Sequence, residues 1–250
     1  MTSAIVPRSV VILQPGYLPW LGFFDQLRRS DVFVFYDDVQ YDTHGWRNRN
    51  RVKTQNGPAW LSVPVRHSGL GLPRILDVEI DGRRPWATKH LETIRQSYAR
   101  APFLHDYLPE LEELLMRPWE RLVDLDIAVV ALMARWLGLR RQIERSSTLG
   151  IAGDRSDRLL RICQRFGATN YVSGDSARDY LDVALFERSG MGVEWQRFAH
   201  PVYPQLHGEF APFLSTLDLL LNCGAASRDV LEGAAARPAA LPFGGASHTS

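Results

Sequence analysis

The sequence predicts an α/β fold: a mixed, mainly parallel sheet that opens with a βαβ unit, plus a helical layer or subdomain in the middle of the chain. Two continuous apolar runs of strand length, SVVILQ at 9–14 and DVFVFY at 31–36, enclose a stretch with helical spacing at 20–29. A strand, a helix and a second strand within about 30 residues have the size of a βαβ unit, whose strands are parallel. Residues 86–137 add a long region of helical periodicity.

The remaining elements follow from the same patterns and from the turn residues between them. Pro15 and Gly16 end the first strand, and two basic residues close the helix at 20–29. Further strands are predicted over 59–65 and 75–80, with a turn at 69–73 between them, and over 143–147, 170–172 and 193–198. Helices are predicted over 86–100, 103–116, 119–137, 156–166, 177–189 and 210–222. We therefore expect one α/β domain over 1–232, with its helical layer at about 86–137, and a disordered tail over 233–250.

Charge and cysteine content narrow the class of protein. The net charge is +1, so long-range steering toward DNA or a membrane is not expected, and any recognition of anions must be local. Two cysteines, Cys163 and Cys223, give neither a disulfide framework nor a metal-binding spacing. The longest apolar helical stretch, at 127–139, is too short to span a bilayer. We expect a cytoplasmic protein with no metal-site residues, no bound DNA and no membrane insertion; the sequence leaves open whether ATP or a metal is needed and what the oligomeric state is.

A basic stretch, WRNRNRVK, carries the strongest signal for binding. Its four cations fall at alternate positions: Arg47, Arg49, Arg51 and Lys53. In an extended chain they share one face, and the guanidinium group suits phosphate or carboxylate. The functional interpretation is a site for a phosphorylated small molecule; the alternative is a solvated basic strand offset by Asp37, Asp38 and Asp42.

Asp37 and Asp38 follow the second predicted strand directly. A right-handed crossover places the 15–19 loop beside them, at the carboxyl edge where parallel sheets usually bind ligands. Our hypothesis is that one of the two aspartates orders the arginines and the other faces the binding cavity. The alternative is a pair of turn acids without chemistry, and no spacing here predicts a magnesium site.

Three further stretches offer polar groups next to rigid turns. In QPGYLPW, Gln14 and Tyr17 can form hydrogen bonds at a strand end, although such a turn also serves packing alone. In SGDSARDY, Ser173 and Gly174 can cap a helix or receive an anion at its N-terminus. In HPVYPQ, His200 directly precedes Pro201 and lies near Tyr203, and it is a candidate general base or acid; a structural role is the alternative.

At these stretches the sequence resembles the WbqC-like protein family. The matching segments are ILQPGYLPWLGFFDQL, DVFVFYDDVQYDTHGWRNRNRVKT, WLSVPV, SGDSARDYLD and HPVYPQLHGEFAPFLSTLDLLLNCG, which extend over nearly all of residues 9–224. The resemblance implies site positions at Gln14, Tyr17, Asp37, Asp38, Gln40, Trp46, Arg47, Asn48, Arg49, Lys53, Ser173, Gly174, Tyr180, His200, Tyr203 and Gln205. Members of this family are typically found with bacterial surface-polysaccharide and natural-product genes. The resemblance therefore implies an activity that attaches glycine or another acyl group to a sugar amine.

The leading hypothesis is therefore an acyl- or aminoacyl-transferase acting on the amine of a nucleotide-activated amino sugar or a similar small metabolite. Arg47, Arg49 and Lys53 would bind phosphates, and Asp38 or His200 would take the proton from the attacking amine. Gln14, Asn48 and Tyr203 would orient the substrate or stabilise the oxyanion. The donor would be an aminoacyl-tRNA, a coenzyme A thioester, an ATP-activated acyl group or a carrier protein.

Two hypotheses from other classes compete with this one. The first is an ATP-dependent nucleotidyl-transfer or adenylate-forming enzyme, because a strand–turn–helix–strand opening suits nucleotide binding. The second is a non-catalytic binding or scaffold protein of a sugar-assembly pathway. In that case the polar clusters would contact a partner and no turnover would occur.

Overall fold

The computed structural model describes residues 8–43, 45–66 and 73–236. The strands are β1 (Ser9–Leu13), β2 (Val32–Phe35), β3 (Arg49–Thr54), β4 (Gly57–Ser62), β5 (Val65–Arg66), β6 (Glu79–Ile80), β7 (Gln142–Arg145), β8 (Asn170–Ser173) and β9 (Gly192–Trp195). The helices are α1 (Leu21–Arg29), α2 (Trp86–Ser97), α3 (Leu104–Leu115), α4 (Leu122–Trp136), α5 (Arg155–Arg165), α6 (Val183–Arg188), α7 (Thr216–Cys223) and α8 (Ser227–Ala236). None of the helices in these ranges combines the length and apolar character needed to cross a membrane.

A parallel sheet with the strand order β7-β2-β1-β8-β9 organises the fold. Val10 of β1 pairs with Val32 of β2 on one side and with Tyr171 of β8 on the other. The strand order reverses direction between β1 and β8, which makes their carboxyl ends a topological switch point. The α/β class and the opening βαβ unit are thus confirmed.

Both faces of the sheet are buried, as the unbroken apolar runs of β1 and β2 require. Val11 and Phe33 point into the larger core, together with apolar residues of α1, α2, α3, α4, α7 and α8. Val10 and Val32 point to the opposite face, where they pack with side chains of α5 and α6. The helices at 86–137 therefore share the main core as a layer and have no separate core of their own.

The basic stretch forms the first strand of an antiparallel hairpin, β3–β4, outside the parallel sheet. Val52 and Asn50 point inward and are buried, while Arg49 and Arg51 lie on the other side. Tyr98, a buried residue at the end of α2, anchors the hairpin: its hydroxyl accepts a hydrogen bond of 2.9 Å from the backbone N–H of Lys53. The alternation predicted for these cations holds from Arg49 onward.

Several predicted elements differ from the structure because local capping or pairing ends them early. The strand predicted at 75–80 is a 3-10 turn, Ile75–Asp77, followed by the short β6, since the backbone N–H groups of Ile75 and Leu76 bond to the loop after β2. The helix predicted at 177–189 shrinks to α6, which begins after Asp182 caps it by accepting from the Leu185 N–H at 3.0 Å.

The helix predicted at 210–222 begins only at Thr216. Ser215 caps it, and Phe213 before it has a left-handed backbone with φ of 58°, which no helix continues through. At the C-terminus, residues 233–236 of the predicted tail belong to α8, and 237–250 lie outside the described residues. The predicted turn at 69–73 also falls outside them, except for its last residue.

Candidate functional site

The loop after β1 is the rigid centre of the site. Its Leu18 is fully buried with φ of 44°, a conformation that costs a non-glycine residue about 1–3 kcal/mol and persists only when the surroundings impose it. The β3 strand and the residues just before it impose this conformation. The Asn50 side chain in β3 donates to the Leu18 carbonyl oxygen at 2.8 Å, and the carbonyl oxygen of Arg47, before β3, accepts from the Tyr17 N–H at 3.0 Å. Gly16 lies so close to Trp46 that an added Cβ would be 3.0 Å from the Trp46 carbonyl oxygen.

A cavity of about 410 Å³ opens at the carboxyl ends of β1, β8 and β9, at the switch point of the sheet. Aromatic side chains form its apolar walls: Trp20, Phe23, Trp46 and Phe198. Four residues with amide side chains also line it: Gln14, Gln26, Asn50 and Gln196. Its charged groups are one guanidinium, Arg47, and one carboxylate, Asp175, with Ser176 beside it. A pocket with apolar walls and few fixed polar groups is typical of a small-molecule site.

Arg47 is the cation that the structure places in this cavity. Its Nη1 donates to the carbonyl oxygens of Gln14 at 3.4 Å and Pro15 at 3.2 Å, so the guanidinium is fixed against the rigid loop. Its Nε has no hydrogen-bond partner among the described residues. Burial lowers the pKa of Arg47, which leaves an arginine charged at neutral pH. The group is therefore preorganised to bind an anion.

A chain of hydrogen bonds fixes the amides on the floor of the cavity. Gln26 of α1 donates to the Gln196 Oε1 at 2.8 Å, and Gln196 donates in turn to Asp25 Oδ2 at 2.8 Å. Asp25 is fully buried and is held by Arg29 at 2.8 Å. Gln26 and Gln196 escaped the sequence analysis, although each stands near the carboxyl edge, where a polar residue that interrupts an apolar pattern is a usable signal.

Asp37 and Asp38 do not line this cavity, and the hypothesis that one of them orders the arginines of the basic stretch while the other faces the cavity is wrong. Asp37 is fully buried and accepts from Arg145 Nε at 2.7 Å, and the N–H of Ser147 adds a bond of 3.0 Å. Burial by itself raises the pKa of Asp37, but these hydrogen bonds outweigh it and lower the pKa.

Asp38 accepts from the Ser146 hydroxyl at 2.6 Å and pairs with Arg158 of α5. The two acids therefore join the end of β2 to β7 and α5. Their cationic partners lie 108 and 120 residues further along the chain, a separation at which no local pattern in the sequence could indicate the pairing.

The last cation of the basic stretch is structural. Lys53 is buried, and its ammonium donates to Gln205 Oε1 at 3.2 Å and to the carbonyl oxygen of Glu209. The prediction that Lys53 binds phosphate is wrong, and Gln205 serves the same contact. Asn48 is also outside the cavity, because its side chain donates to the Val63 carbonyl at 2.9 Å.

His200 and Tyr203 lie outside the lining of the cavity, so their predicted place in it beside Asp38 is wrong. The His200 ring packs among aromatic rings, 6.0 Å from Phe198 and 5.2 Å from Phe213 between centroids. Burial lowers its pKa, which keeps the imidazole neutral. The Tyr203 hydroxyl donates to the buried carboxylate of Asp218 at 3.0 Å.

The other predicted positions divide between the cavity and its supports. Gln14, Trp46, Arg47 and Gly174 line the cavity. Tyr17 and Ser173 are buried behind it, and the Tyr17 hydroxyl is 3.0 Å from His90 Nδ1.

Three further predicted positions lie outside the lining of the cavity. Gln40 forms a backbone bridge with Arg74, and Tyr180 is exposed. Arg49 lies on the outer face of the hairpin, over the Trp60 ring.

Comparison with known proteins places these features in a family. A family model described as the WbqC-like protein family matches residues 14–230, which include the loop, the hairpin and every cavity-lining segment except Leu13. An uncharacterized protein of Mycobacterium tuberculosis (strain ATCC 25618 / H37Rv), Rv1507c, is 35% identical over 226 residues, which cover 90% of this chain and 97% of that protein. No solved structure matches the chain.

Proposed function

Because the chain belongs to the WbqC-like protein family, we propose that it transfers an acyl or aminoacyl group, such as glycyl, to the amine of a nucleotide-activated amino sugar or a similar small metabolite. The observation that carries this proposal is the composition of the cavity at the switch point. One guanidinium, one carboxylate and four amide side chains surround a space between aromatic walls.

Each group in the cavity suits one part of an amino sugar. The Trp20 and Phe198 rings can pack against the apolar C–H face of a pyranose. The fixed amides can exchange hydrogen bonds with its hydroxyl groups. Asp175, at the cavity wall, can pair with the ammonium, while Arg47 binds an anionic group of the same substrate.

The chemistry requires a proton acceptor, because an ammonium group has no lone pair with which to attack. Asp175 is the carboxylate in the cavity lining, so we assign it that role in place of His200 and Asp38. The amine nitrogen then forms a bond to the donor carbonyl carbon, and the bond from that carbon to the leaving oxygen or sulfur breaks. The ammonium loses two protons on the way to the amide: Asp175 accepts one and passes it to solvent, and the other departs with the oxygen or sulfur leaving group. The Arg47 guanidinium supplies a donor for the intermediate oxyanion.

The test is direct incubation of the purified protein with nucleotide-linked amino sugars and three kinds of donor: charged tRNA, acyl coenzyme A, and an amino acid with ATP. Mass spectrometry of the sugar reports an acyl increment, and pyrophosphate release in the ATP arm reports adenylate formation. We expect Asp175→Asn to abolish the increment and Arg117→Gln, an exposed change on the helical layer, to leave it intact. If no sugar gains mass with any donor, or Asp175→Asn retains full activity, the proposed transfer is wrong.

The same assay separates the two competing hypotheses. Pyrophosphate release without any acylated sugar would favour a nucleotidyl-transferring or adenylate-forming enzyme. Binding of the sugar or of a partner protein that Arg47→Gln abolishes, with no turnover under any condition, would favour a scaffold protein.

A further inference from the structure

Two tryptophans stand exposed and in contact at the mouth of the cavity. Trp46 is 44% exposed and Trp60 is 48% exposed, and their ring centroids are 5.1 Å apart. Trp46 also lines the cavity, so the pair continues the cavity wall onto the outer face of the hairpin. Large aromatic side chains that remain in water together in a folded domain mark a binding surface.

Two arginines lie over these rings. The β3–β4 register places Arg51 directly opposite Trp60, and the Arg51 guanidinium is 5.7 Å from the Trp60 ring and 5.8 Å from the Trp46 ring. The Arg49 guanidinium is 4.8 Å from the Trp60 ring. Arg51 Nη2 also donates to the Phe213 carbonyl oxygen at 3.4 Å, and the fork of five N–H donors in a guanidinium allows it to bind an anion as well. We call these four side chains the tryptophan–arginine face.

A second, shallower cavity of about 330 Å³ borders this face beyond Trp60. Arg84, Lys89 and Trp86 line it, and no carboxylate belongs to its lining within the described ranges. The positive charge outside the main cavity therefore extends past the hairpin, whereas the main cavity itself contains Asp175. In the main cavity the carboxylate of Asp175 offsets the charge of Arg47 and is itself paired with Arg178 at 2.9 Å, so among the described residues the lining with cations and no carboxylate is the outer one.

We propose that the tryptophan–arginine face binds the nucleoside diphosphate portion of the substrate. An indole offers a stacking surface that suits a nucleobase, and the Arg51 guanidinium beside both indoles suits a diphosphate. The two together at one site match a nucleotide better than they match either a bare sugar or a bare phosphate. The identification of the group inside the main cavity as a sugar rests on the proposed function; the nucleotide site rests on the face alone.

Single-stranded RNA offers the same chemistry but fits this protein less well. Proteins that bind RNA strands track the backbone with an extended positive groove, whereas this chain has a net charge of +1. Two adjoining indoles provide room for one base and not for a run of stacked bases. We therefore commit to a free or sugar-linked nucleoside diphosphate and treat RNA as an outcome of the test.

The experiment is calorimetric titration of the full-length protein with uridine diphosphate, guanosine diphosphate, uridine and inorganic pyrophosphate. We expect at least one diphosphate to bind more tightly than uridine or pyrophosphate. Trp60→Ala and Arg51→Gln should each weaken its binding by about tenfold or more, since alanine substitution of a stacking aromatic costs ~1–3 kcal/mol per base. Trp60→Phe should keep most of the affinity, and Arg117→Gln should not alter it. Circular dichroism melting curves establish that each variant is folded.

Absence of diphosphate binding, or equal binding by the wild type and both variants, would overturn the nucleotide site. A single-stranded RNA oligonucleotide that binds more tightly than any diphosphate, with the same sensitivity to Trp60→Ala, would also overturn it in favour of RNA. The two proposals fail separately. Diphosphate binding without acyl transfer would contradict only the proposed transferase activity. If acyl transfer occurs and neither Trp60→Ala nor Arg51→Gln affects it, only the nucleotide site is contradicted.

Discussion

The carbonyl oxygen of Arg47 accepts a hydrogen bond of 3.0 Å from the backbone N–H of Tyr17, and this bond joins the hairpin to the loop that ends the first strand. The guanidinium of the same arginine bonds back to the carbonyl oxygens of Gln14 and Pro15 in that loop. The loop and the cation are thus one rigid unit, positioned by the parallel sheet on one side and by the hairpin on the other.

Asn50→Ala should destabilise the protein by about 1–3 kcal/mol. The Asn50 side chain donates to the carbonyl oxygen of Leu18, and its loss leaves a buried acceptor unpaired at a backbone position that is already strained. Urea denaturation measures the free energy of unfolding. Asn56→Ala, an exposed change in the turn of the same hairpin, is the matched control and should alter stability by less than about 0.5 kcal/mol. Equal stability of the two variants would contradict the role given to Asn50.

Gly16→Ala should impair ligand binding more than stability. The added Cβ would stand 3.0 Å from the Trp46 carbonyl oxygen, so the backbones of the loop and the hairpin must separate by a few tenths of an ångström. Gly82→Ala is the control, because an added Cβ there meets nothing within 4 Å. We expect substrate affinity to fall severalfold in the first variant and to stay unchanged in the second. Parallel binding curves for the wild type and both variants would show that the close approach is unimportant.

Arg145→Ala should cost about 3 kcal/mol, at the lower end of the range for removing one partner of a buried ion pair, because it leaves the carboxylate of Asp37 buried without its cation. Arg74→Ala removes an exposed pair with Asp77 and should cost less than about 1 kcal/mol. The two effects also differ in their pH dependence. The pKa of Asp37 is lower in the folded chain than in the unfolded one, so its contribution is present above about pH 4 and is lost as the pH falls further. Chemical denaturation of both variants at pH 7 and pH 3 checks this; a pH-independent cost for Arg145→Ala would contradict it.

His90 should make the protein less stable in mild acid. Burial lowers its pKa to about 4, whereas an unfolded histidine titrates near 6.5. Between these values the unfolded chain binds a proton that the folded chain does not. The free energy of unfolding therefore decreases by about 3 kcal/mol as the pH is lowered from 6.5 to 4. His90→Gln can retain a hydrogen bond to the Tyr17 hydroxyl and should flatten the stability curve between pH 6.5 and pH 4. An identical pH profile in the variant would assign the acid sensitivity to another group.

The fold was predictable to the extent that apolar periodicity reports it. The unbroken apolar runs of β1 and β2 and the amphipathic pattern of α1 indicated a βαβ unit, and the structure has one. Residues 75–80 were mistaken for one strand because apolar and polar residues alternate in ILDVEI. In the structure the first half is a 3-10 turn whose backbone N–H groups bond to the loop after β2, and the sequence pattern does not report that pairing.

The site was predictable where its residues belong to a recognisable local motif. Gln14 and Gly174 were found because they stand at turns containing glycine, and Trp46 and Arg47 because they begin the basic stretch. Asp175 and Gln196 follow strands β8 and β9, which join the sheet more than 150 residues after β1, and no local pattern singled them out. Asp38 was misassigned for the complementary reason, since its partner Arg158 comes from a distant helix.

The central claim is that the cavity containing Arg47, and not the aromatic cluster around His200, is the functional site. Its most direct test compares Arg47→Gln with His200→Gln in the acyl-increment assay, with the purified protein held at pH 7.5. We predict that Arg47→Gln lowers the rate by about 10- to 100-fold, as expected from the ~1.5–3 kcal/mol of a charge-assisted hydrogen bond, and that His200→Gln changes it less than threefold. A severe loss in His200→Gln with full activity in Arg47→Gln would contradict the claim.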